Sequence, residues 1–156
     1  MQSAFRPHWA LLTAKHGTPH FKNLVKYAGS SGLKELAEYL KNNKTVELVW
    51  DDLKRIRDAW DGKLVIKGIL HPEDALNALK IGADAIIVSN HGGRQFDGGP
   101  TSISMLGENV AKIKGKIPVM LDSGISTGLD IVKAYALGAD YVFAGRAFMF
   151  GVAIRI

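Results

Sequence analysis

Residues 68–84 read GILHPEDALNALKIGAD, and residues 124–140 repeat their pattern as GISTGLDIVKAYALGAD. A shift of 56 residues aligns the two stretches with seven identities in 17 positions, including a shared Gly-Ala-Asp at the end. Each stretch lies between two short apolar runs, so each unit is predicted to be a strand, a loop, a helix and a second strand. The chain therefore contains a βαβα unit that is used twice.

Four apolar runs flank these stretches and predict four strands, at residues 64–67, 85–89, 118–121 and 141–144. Helices are predicted between them, one from Pro72, one with Ser102 as its N-cap and one over 129–137. Apolar strands that alternate with helices are typical of a parallel sheet covered by helices. Repetition of the unit favours a (β/α)8 barrel over an open doubly wound sheet, and four strands are half of one. The predicted fold class is α/β, a C-terminal half-barrel of the TIM-barrel type.

The first part of the chain is basic and has little hydrophobic periodicity. Residues 1–44 hold seven of the 20 Lys and Arg but only two of the 15 Asp and Glu, so the charges of the remainder balance. We predict a basic loop segment over 1–45, with one short amphipathic helix near Leu33, and the half-barrel domain over 46–156. A segment of this charge suits either solvent or the surface of an anionic membrane.

The composition excludes several classes of protein. Among 156 residues there is no cysteine, which excludes disulfide frameworks, zinc–thiolate sites and thiol nucleophiles. No apolar run approaches the ~18 residues of a membrane span, and no apolar core of a signal peptide follows the N-terminus. No nucleic-acid-binding motif accompanies the basic residues. We therefore expect a cytoplasmic protein, with a peripheral position on the inner face of the plasma membrane as the alternative.

Polar or charged residues follow all four predicted strands, where the functional groups of such barrels lie. They are Lys67, the run Ser89-Asn90-His91-Gly92-Gly93-Arg94-Gln95, the run Asp122-Ser123-Gly124-Ile125-Ser126, and Gly145 with Arg146. A glycine-rich turn that opens a helix presents N–H groups to a phosphate, and Arg146 adds a forked cation. The third and fourth loops thus predict a phosphate site, although Gly124 and Gly145 are also compatible with plain tight turns.

The second loop contains the residue types that an active site needs. His91 is suited to proton abstraction near neutral pH, and Arg94 is suited to holding a substrate carboxylate in a forked geometry. A single histidine at a strand end is often structural, which is the alternative interpretation. The neighbouring glycines and Arg94 favour the interpretation of His91 as a catalytic residue.

The run Ser89-Asn90-His91-Gly92-Gly93-Arg94-Gln95 resembles the FMN-dependent 2-hydroxy acid dehydrogenases and oxidases, the family of L-lactate dehydrogenase, mandelate dehydrogenase and glycolate oxidase. The resemblance extends from about Trp50 to Ile154, and the basic stretch before it is similar to a long variable loop of the bacterial L-lactate dehydrogenases. It implies a (β/α)8 barrel that binds FMN and oxidises an L-2-hydroxy acid to the 2-oxo acid, with L-lactate as the first candidate substrate. It also implies a homo-oligomer as the full-length form.

The resemblance further implies a role for each matching residue. His91 takes the substrate proton, Arg94 binds the substrate carboxylate, and Lys67 lies beside the flavin N1/O2 edge and stabilises the anionic reduced flavin. Ser89 contacts the flavin. The remaining cofactor-binding residues line the site of the ribityl phosphate, and they are Asp122, Ser123, Gly124, Ile125, Ser126, Gly145 and Arg146. No metal ligand is implied.

Three features depart from the family pattern. Ser126 stands where the family usually has arginine, which should weaken the binding of FMN or substrate. The first half of the barrel, which in the family supplies two active-site tyrosines and the aspartate that orients the histidine, has no counterpart here. The chain is also expected to end before the helix that covers the fourth strand.

Two alternatives to the enzyme stay open at this point. One is a truncated, inactive half-barrel that at most binds FMN or phosphate, which the absent strands favour. The other is a phosphate-binding flavin barrel of different chemistry. The presence of Lys67, His91 and Arg94 favours the 2-hydroxy acid dehydrogenase over this alternative. An unpaired sheet edge also predicts that the isolated chain self-associates.

Overall fold

The computed structural model describes residues 6–17, 21–43 and 48–155, and the chain divides into two compact units, residues 1–47 and 48–156. The described residues of the first unit form three helices, α1 (Pro7–His16), α2 (Lys22–Ala28) and α3 (Leu33–Asn43). Helix α2 packs against α3. The amphipathic helix predicted near Leu33 is confirmed as α3, and its Leu36 is buried.

Helices α1 and α2 lie in a stretch that we predicted to be a loop, and for these residues that prediction is wrong. Pro7 opens α1, where a missing N–H costs nothing, and Gly17 and Gly29 end α1 and α2 with positive φ angles of 76° and 69°. The glycines therefore end two short helices. The predicted boundary between residues 45 and 46 lies outside the described residues.

The second unit alternates helices with strands as predicted. Its elements are α4 (Trp50–Ala59), β1 (Val65–Ile69), α5 (Pro72–Lys80), β2 (Ala85–Val88), α6 (Ser102–Ile113), β3 (Val119–Leu121), α7 (Gly128–Ala136), β4 (Tyr141–Val142) and α8 (Arg146–Arg155). The four strands are parallel and lie side by side in chain order. Chain order is the arrangement of a (β/α)8 barrel, so the sheet is an open part of one.

The two faces of this sheet differ in burial. Helices α5 and α6 pack on one face and α7 packs against β4, and the strand side chains buried there are Ile66, Ile69, Ile86, Val88, Val119 and Leu121. On the other face Lys67 is paired with Ile87, Ile87 with Met120, and Met120 with Tyr141. This face corresponds to the inside of a barrel, and Lys67 is its charged residue nearest the carboxyl ends of the strands.

The Gly-Ala-Asp at the end of each sequence repeat has the same structural role in both repeats. Gly82 and Gly138 follow α5 and α7 with φ angles of 81° and 95°. The carboxylate of Asp84 then accepts the N–H of Leu64 at 2.9 Å, and the N–H of Asp84 donates to the carbonyl of Leu64 at 2.8 Å. Asp140 makes the same pair of bonds with Val119, at 2.7 and 2.8 Å. Each aspartate thereby holds the start of the preceding strand.

We expect stability to depend on Asp84 at acid pH. Hydrogen bonds from the Lys63 ammonium and the Leu64 N–H, and the charges of Lys63 and Arg57, lower its pKa from 3.8 to about 2. Because the folded-state pKa is depressed, this contribution is complete above the unfolded value and is lost as the pH falls through about 2. The urea concentration at the unfolding midpoint should therefore fall as the pH is lowered from 3.8 to about 2. This fall should be less steep in Asp84→Asn than in the wild type.

Asp58→Asn, which alters an exposed carboxylate on α4, is the matched control and should follow the wild type. Equal acid sensitivity of the wild type and Asp84→Asn would contradict the prediction.

One further prediction needs correction. The N-cap of α6 is Thr101, whose hydroxyl accepts the N–H of Ser104 at 3.3 Å, while the hydroxyl of Ser102 accepts the N–H of Asn90 at 2.9 Å. A helix, α8, follows the fourth strand and begins at Arg146, but its apolar side chains such as Phe148 and Ile154 are exposed, so it is not shown to be the helix that covers this strand. Among the described residues, no helix has both the length and the apolar character needed to cross a bilayer.

Candidate cofactor and substrate cleft

A cleft of about 440 Å³ opens at the carboxyl ends of the strands. Its lining residues are Lys67, His91, Gly92, Arg94, Asp122, Ser123, Gly124, Ile125, Ser126, Phe143, Ala144, Gly145 and Arg146. Every residue predicted for the site is among them except Ser89, which is buried beneath the cleft. The topology thus brings all four strand ends to one place, because the carboxyl ends of parallel strands share an edge of the sheet.

Lys67 and Asp122 form an ion pair on the floor of the cleft. The Lys67 ammonium lies 2.7 Å from Asp122 Oδ2 and donates to the Ser89 hydroxyl at 2.9 Å. Burial alone would raise the pKa of Asp122, but hydrogen bonds from Lys67, Ser89 and Ser123 together with the Lys67 charge outweigh it, so this pKa lies below its usual value. The carboxylate is therefore ionised and balances the charge of Lys67.

His91 lies in a left-handed turn that directly follows β2. His91, Gly92 and Gly93 all have positive φ angles, 58°, 71° and 71°, which is uncommon for a residue with a side chain. The carbonyl of Gly92 accepts a hydrogen bond from the guanidinium of Arg146 at 2.9 Å. The side chains of His91 and Arg94 are exposed at the cleft.

Gly68 is a residue of the site that sequence reasoning missed. It forms a bulge in β1, with a φ of 94° and a register shift between Lys67 and Ile69. A Cβ at this position would lie 2.9 Å from Cε1 of His91, so the imidazole packs directly on the backbone of the bulge. The signal was present, since a single glycine inside an apolar strand indicates a bulge or a close approach.

We expect Gly68→Ala to destabilise the protein by roughly 1–3 kcal/mol, because the new methyl group meets the His91 ring and the positive φ is unfavourable for alanine. The matched control is Gly107→Ala within α6, where a Cβ meets no atom within 4 Å. That change should stabilise by roughly 0.5–1 kcal/mol, because alanine favours the helix. Urea unfolding measures both, and two changes of the same sign would contradict the assignment.

The loop between β3 and α7 offers backbone donors to the cleft. Ser123 and Gly124 have φ angles of 75° and 76°, and a Cβ on Gly124 would enter open space. Within the part of the chain that the structure describes, the N–H groups of Gly124 and Ile125 meet no acceptor. The N–H of Ser126, in contrast, donates to Asp130 Oδ2 at 3.1 Å.

Residues 1–155 match the model of the family described as FMN-dependent dehydrogenase. The chain belongs to this family. The fold of the family is the (β/α)8 barrel and the cofactor of the family is FMN, and the sequence predicted both.

The chain is similar in sequence and in structure to several members of this family. L-lactate dehydrogenase of Acinetobacter baumannii is 48% identical over 155 residues, which are 98% of this chain and 40% of that protein. The monotopic membrane protein (S)-mandelate dehydrogenase superposes with a TM-score of 0.87 at 42% identity, over 96% of this chain and 39% of that one. A mandelate oxidase solved with benzoylformic acid superposes with a TM-score of 0.65 at 47% identity, over 68% and 32%. The chain thus spans about two fifths of the length of the curated relatives.

The residues of the cleft fit the cofactor of the FMN-dependent dehydrogenase family. At one end, the backbone donors of Gly124 and Ile125, the open space at Gly124 and the cation of Arg146 suit a phosphate. At the other end, the charge of the Lys67 ammonium would suit an electron-rich ring. Since the charge of Asp122 is balanced by Lys67, this carboxylate does not leave the cleft anionic.

Proposed function

We propose that this chain forms the FMN-binding and substrate-binding face of an enzyme that oxidises an L-2-hydroxy acid, with L-lactate as the first candidate, to the 2-oxo acid. One observation supports this above the others: a base, two arginines and a lysine line a single cleft together with free backbone donors. The half-barrel domain over 46–156 contains all of these groups. Their combined charge suits both an anionic substrate and a phosphate-bearing cofactor.

In this proposal Arg94 and His91 act on the substrate. The Arg94 guanidinium binds the carboxylate through two parallel hydrogen bonds, which fixes the neighbouring hydroxyl-bearing carbon in one orientation. His91 Nε2 then accepts a proton from the substrate. Both side chains are exposed at the cleft and lie within one short turn, so one ligand is able to reach both.

The other site residues are proposed to bind the cofactor. FMN, when bound, takes up the two electrons that leave the alcohol carbon. Lys67 stabilises negative charge on the flavin ring. Ser89, which is buried and does not line the cleft, acts on the flavin only through Lys67, whose ammonium its hydroxyl binds at 2.9 Å. The phosphate end consists of Gly124, Ile125 and Arg146, with Asp122, Ser123, Ser126 and Gly145 beside it.

The test is the visible absorption spectrum of the purified chain after incubation with FMN and desalting, followed by anaerobic L-lactate. Retained flavin that bleaches with L-lactate, but not with D-lactate, is the expected result. (S)-Mandelate in place of L-lactate examines the second substrate that the relatives suggest. Retained flavin without bleaching would favour the inactive binding half-barrel, and absence of flavin would contradict the proposal.

We further propose that residues 1–44 contact the inner, anionic face of the plasma membrane. Helices α1 and α2 and the residue before α2 expose Trp9, Leu11, Phe21 and Tyr27, and the two helices also include Lys15, Lys22 and Lys26. Exposed aromatic residues beside lysines are suited to a lipid headgroup region. The likeness to a monotopic membrane protein over 96% of this chain supports the same idea. A homo-oligomeric full-length form stays a prediction.

We expect the chain to co-sediment with vesicles that contain phosphatidylglycerol, and to be released as the salt concentration rises, because surface charges are screened. Lys22→Glu with Lys26→Glu should weaken this binding, whereas Lys116→Glu, an exposed change in the second unit, should not. Binding that ignores both salt and anionic lipid content would refute the proposal.

A further inference from the structure

Four hydrogen bonds and the Lys67–Asp122 ion pair close a ring beneath the cleft that joins the ends of β1, β2 and β3. Its members are Lys67, Ser89, the backbone N–H groups of His91 and Gly92, Ser123 and Asp122. The backbone of His91, which joins the two N–H groups, completes the ring. The ring therefore includes the backbone of the turn that contains the histidine.

Ser123 connects the carboxylate to the histidine turn. Its hydroxyl donates to Asp122 Oδ1 at 2.9 Å and accepts the N–H of Gly92, also at 2.9 Å. Because the single hydroxyl hydrogen points to the carboxylate, the oxygen lone pairs are left to face Gly92. The orientation of Asp122, which is bound to Lys67 through its other oxygen, thereby determines where this acceptor lies.

Ser89 closes the other side of the ring. Its buried hydroxyl accepts hydrogen bonds from the Lys67 ammonium at 2.9 Å and from the N–H of His91 at 3.2 Å. The two consecutive N–H groups of the turn are therefore each bound by a serine, and both serines are bound by the Lys67–Asp122 pair.

The turn needs such support because its backbone is strained. His91 in the turn has a φ of 58°, and Ser123, which lies after β3 and binds the turn, has a φ of 75°. Residues with a Cβ adopt this region only when their surroundings determine it. Helix formation does not explain the conformation, since Gly92 within the turn has non-helical angles. Asn90 gives local support, since its Oδ1 accepts the N–H of Gly92 at 3.1 Å, and Ser123 supplies a second acceptor for the same N–H from the end of β3.

We propose that Ser123 is a positioning residue, whose hydroxyl couples the Lys67–Asp122 ion pair to the turn that presents His91. The state of the cofactor end of the cleft is thereby linked to the placement of the proton acceptor. This rests on the proposed function only for the role of His91 as a base, since the coupling itself is a property of the chain.

Amide hydrogen exchange of the ¹⁵N-labelled chain tests the coupling without FMN or turnover. Ser123→Gly tolerates the positive φ, whereas Ser123→Ala retains the strain, and both lack the hydroxyl. The Gly92 N–H also donates to Asn90 Oδ1 at 3.1 Å, and this bond remains in both variants. We expect exchange at the Gly92 amide to rise about threefold in both variants, because the Ser123 acceptor is lost and the Asn90 acceptor is kept. The amides of Ile86 and Phe143, which donate to Pro118 and Leu121 in the sheet, serve as references and should not change.

Ser104→Ala removes an exposed hydroxyl that donates to the carbonyl of Thr101, and it should leave Gly92 exchange unchanged. An unchanged rate at Gly92 in either Ser123 variant would overturn the proposal, because the backbone and not the hydroxyl would then be responsible. An equal rise at the reference amides would also overturn it, since the effect would be global unfolding.

The loaded enzyme gives a second readout. Ser123→Gly should lower kcat about tenfold, because the proton acceptor is less well placed, and should change KM less than about twofold, because Arg94 lies outside the ring. Failure of the proposed function would remove this activity altogether while leaving the exchange result intact, so the two failures are distinguishable.

Discussion

Replacement of His91 by asparagine is expected to slow the reduction of bound FMN by L-lactate roughly 100- to 10,000-fold, the range that loss of a general base produces. Asparagine is chosen because it tolerates the left-handed backbone, in which His91 has a φ of 58°. The turn and the cleft should therefore persist, and FMN should be retained. Stopped-flow absorbance of the flavin after anaerobic mixing measures the rate.

His71→Asn is the matched control for this experiment. His71 caps α5 by accepting the N–H of Glu73 at 3.2 Å, and asparagine is also a good N-cap. His71 does not line the cleft, so the rate of flavin reduction should equal that of the wild type. If His91→Asn reduced its flavin as fast as His71→Asn, His91 would not be the base.

Leu106→Ala is expected to destabilise the protein by about 2–5 kcal/mol, the usual cost of a cavity at a buried leucine. Leu106 is 0% exposed and belongs to the core beneath the sheet, on the helix that packs against β2, β3 and α5. Strands β2 and β3 also precede the loops of the cleft, so loss of this packing should weaken FMN retention in parallel. Urea unfolding followed by circular dichroism gives the free energy of unfolding.

Leu129→Ala is the control for this second prediction. Leu129 is 61% exposed on α7, so its truncation removes little buried surface and should change the free energy of unfolding by less than about 0.5 kcal/mol. Equal losses in the two variants would mean that α6 does not cover a packed core.

Much of the fold of the second unit was predictable from local pattern. The apolar run before Ser89 predicted β2, and Pro72 and Gly82 marked the start of α5 and the turn after it. In the first unit the same reasoning failed at α1 and α2, because a helix of seven to ten residues with little amphipathic character leaves no clear period. Thr101 and Ser102 were confused as caps because both residue types favour that position.

The candidate site divides in the same way. Residue type and position after a strand were enough to predict that Lys67, His91 and Arg146 line one cleft. Gly68 was missed although its signal was present. The assignment of Ser123 to the phosphate end alone left out its bond to Gly92, for which the sequence contains no signal.

By itself, therefore, the sequence determined the order of helices and strands, the parallel sheet and the residues that follow each strand, because hydrophobic period and repeat length are local properties. Only the tertiary structure decided which of those residues touch. The Lys67–Ser89 and Ser123–Gly92 bonds join residues 22 and 31 positions apart, and the imidazole of His91 packs on the bulge at Gly68. Such contacts depend on strand register and on shifts of a few tenths of an ångström, which no spacing along the chain specifies.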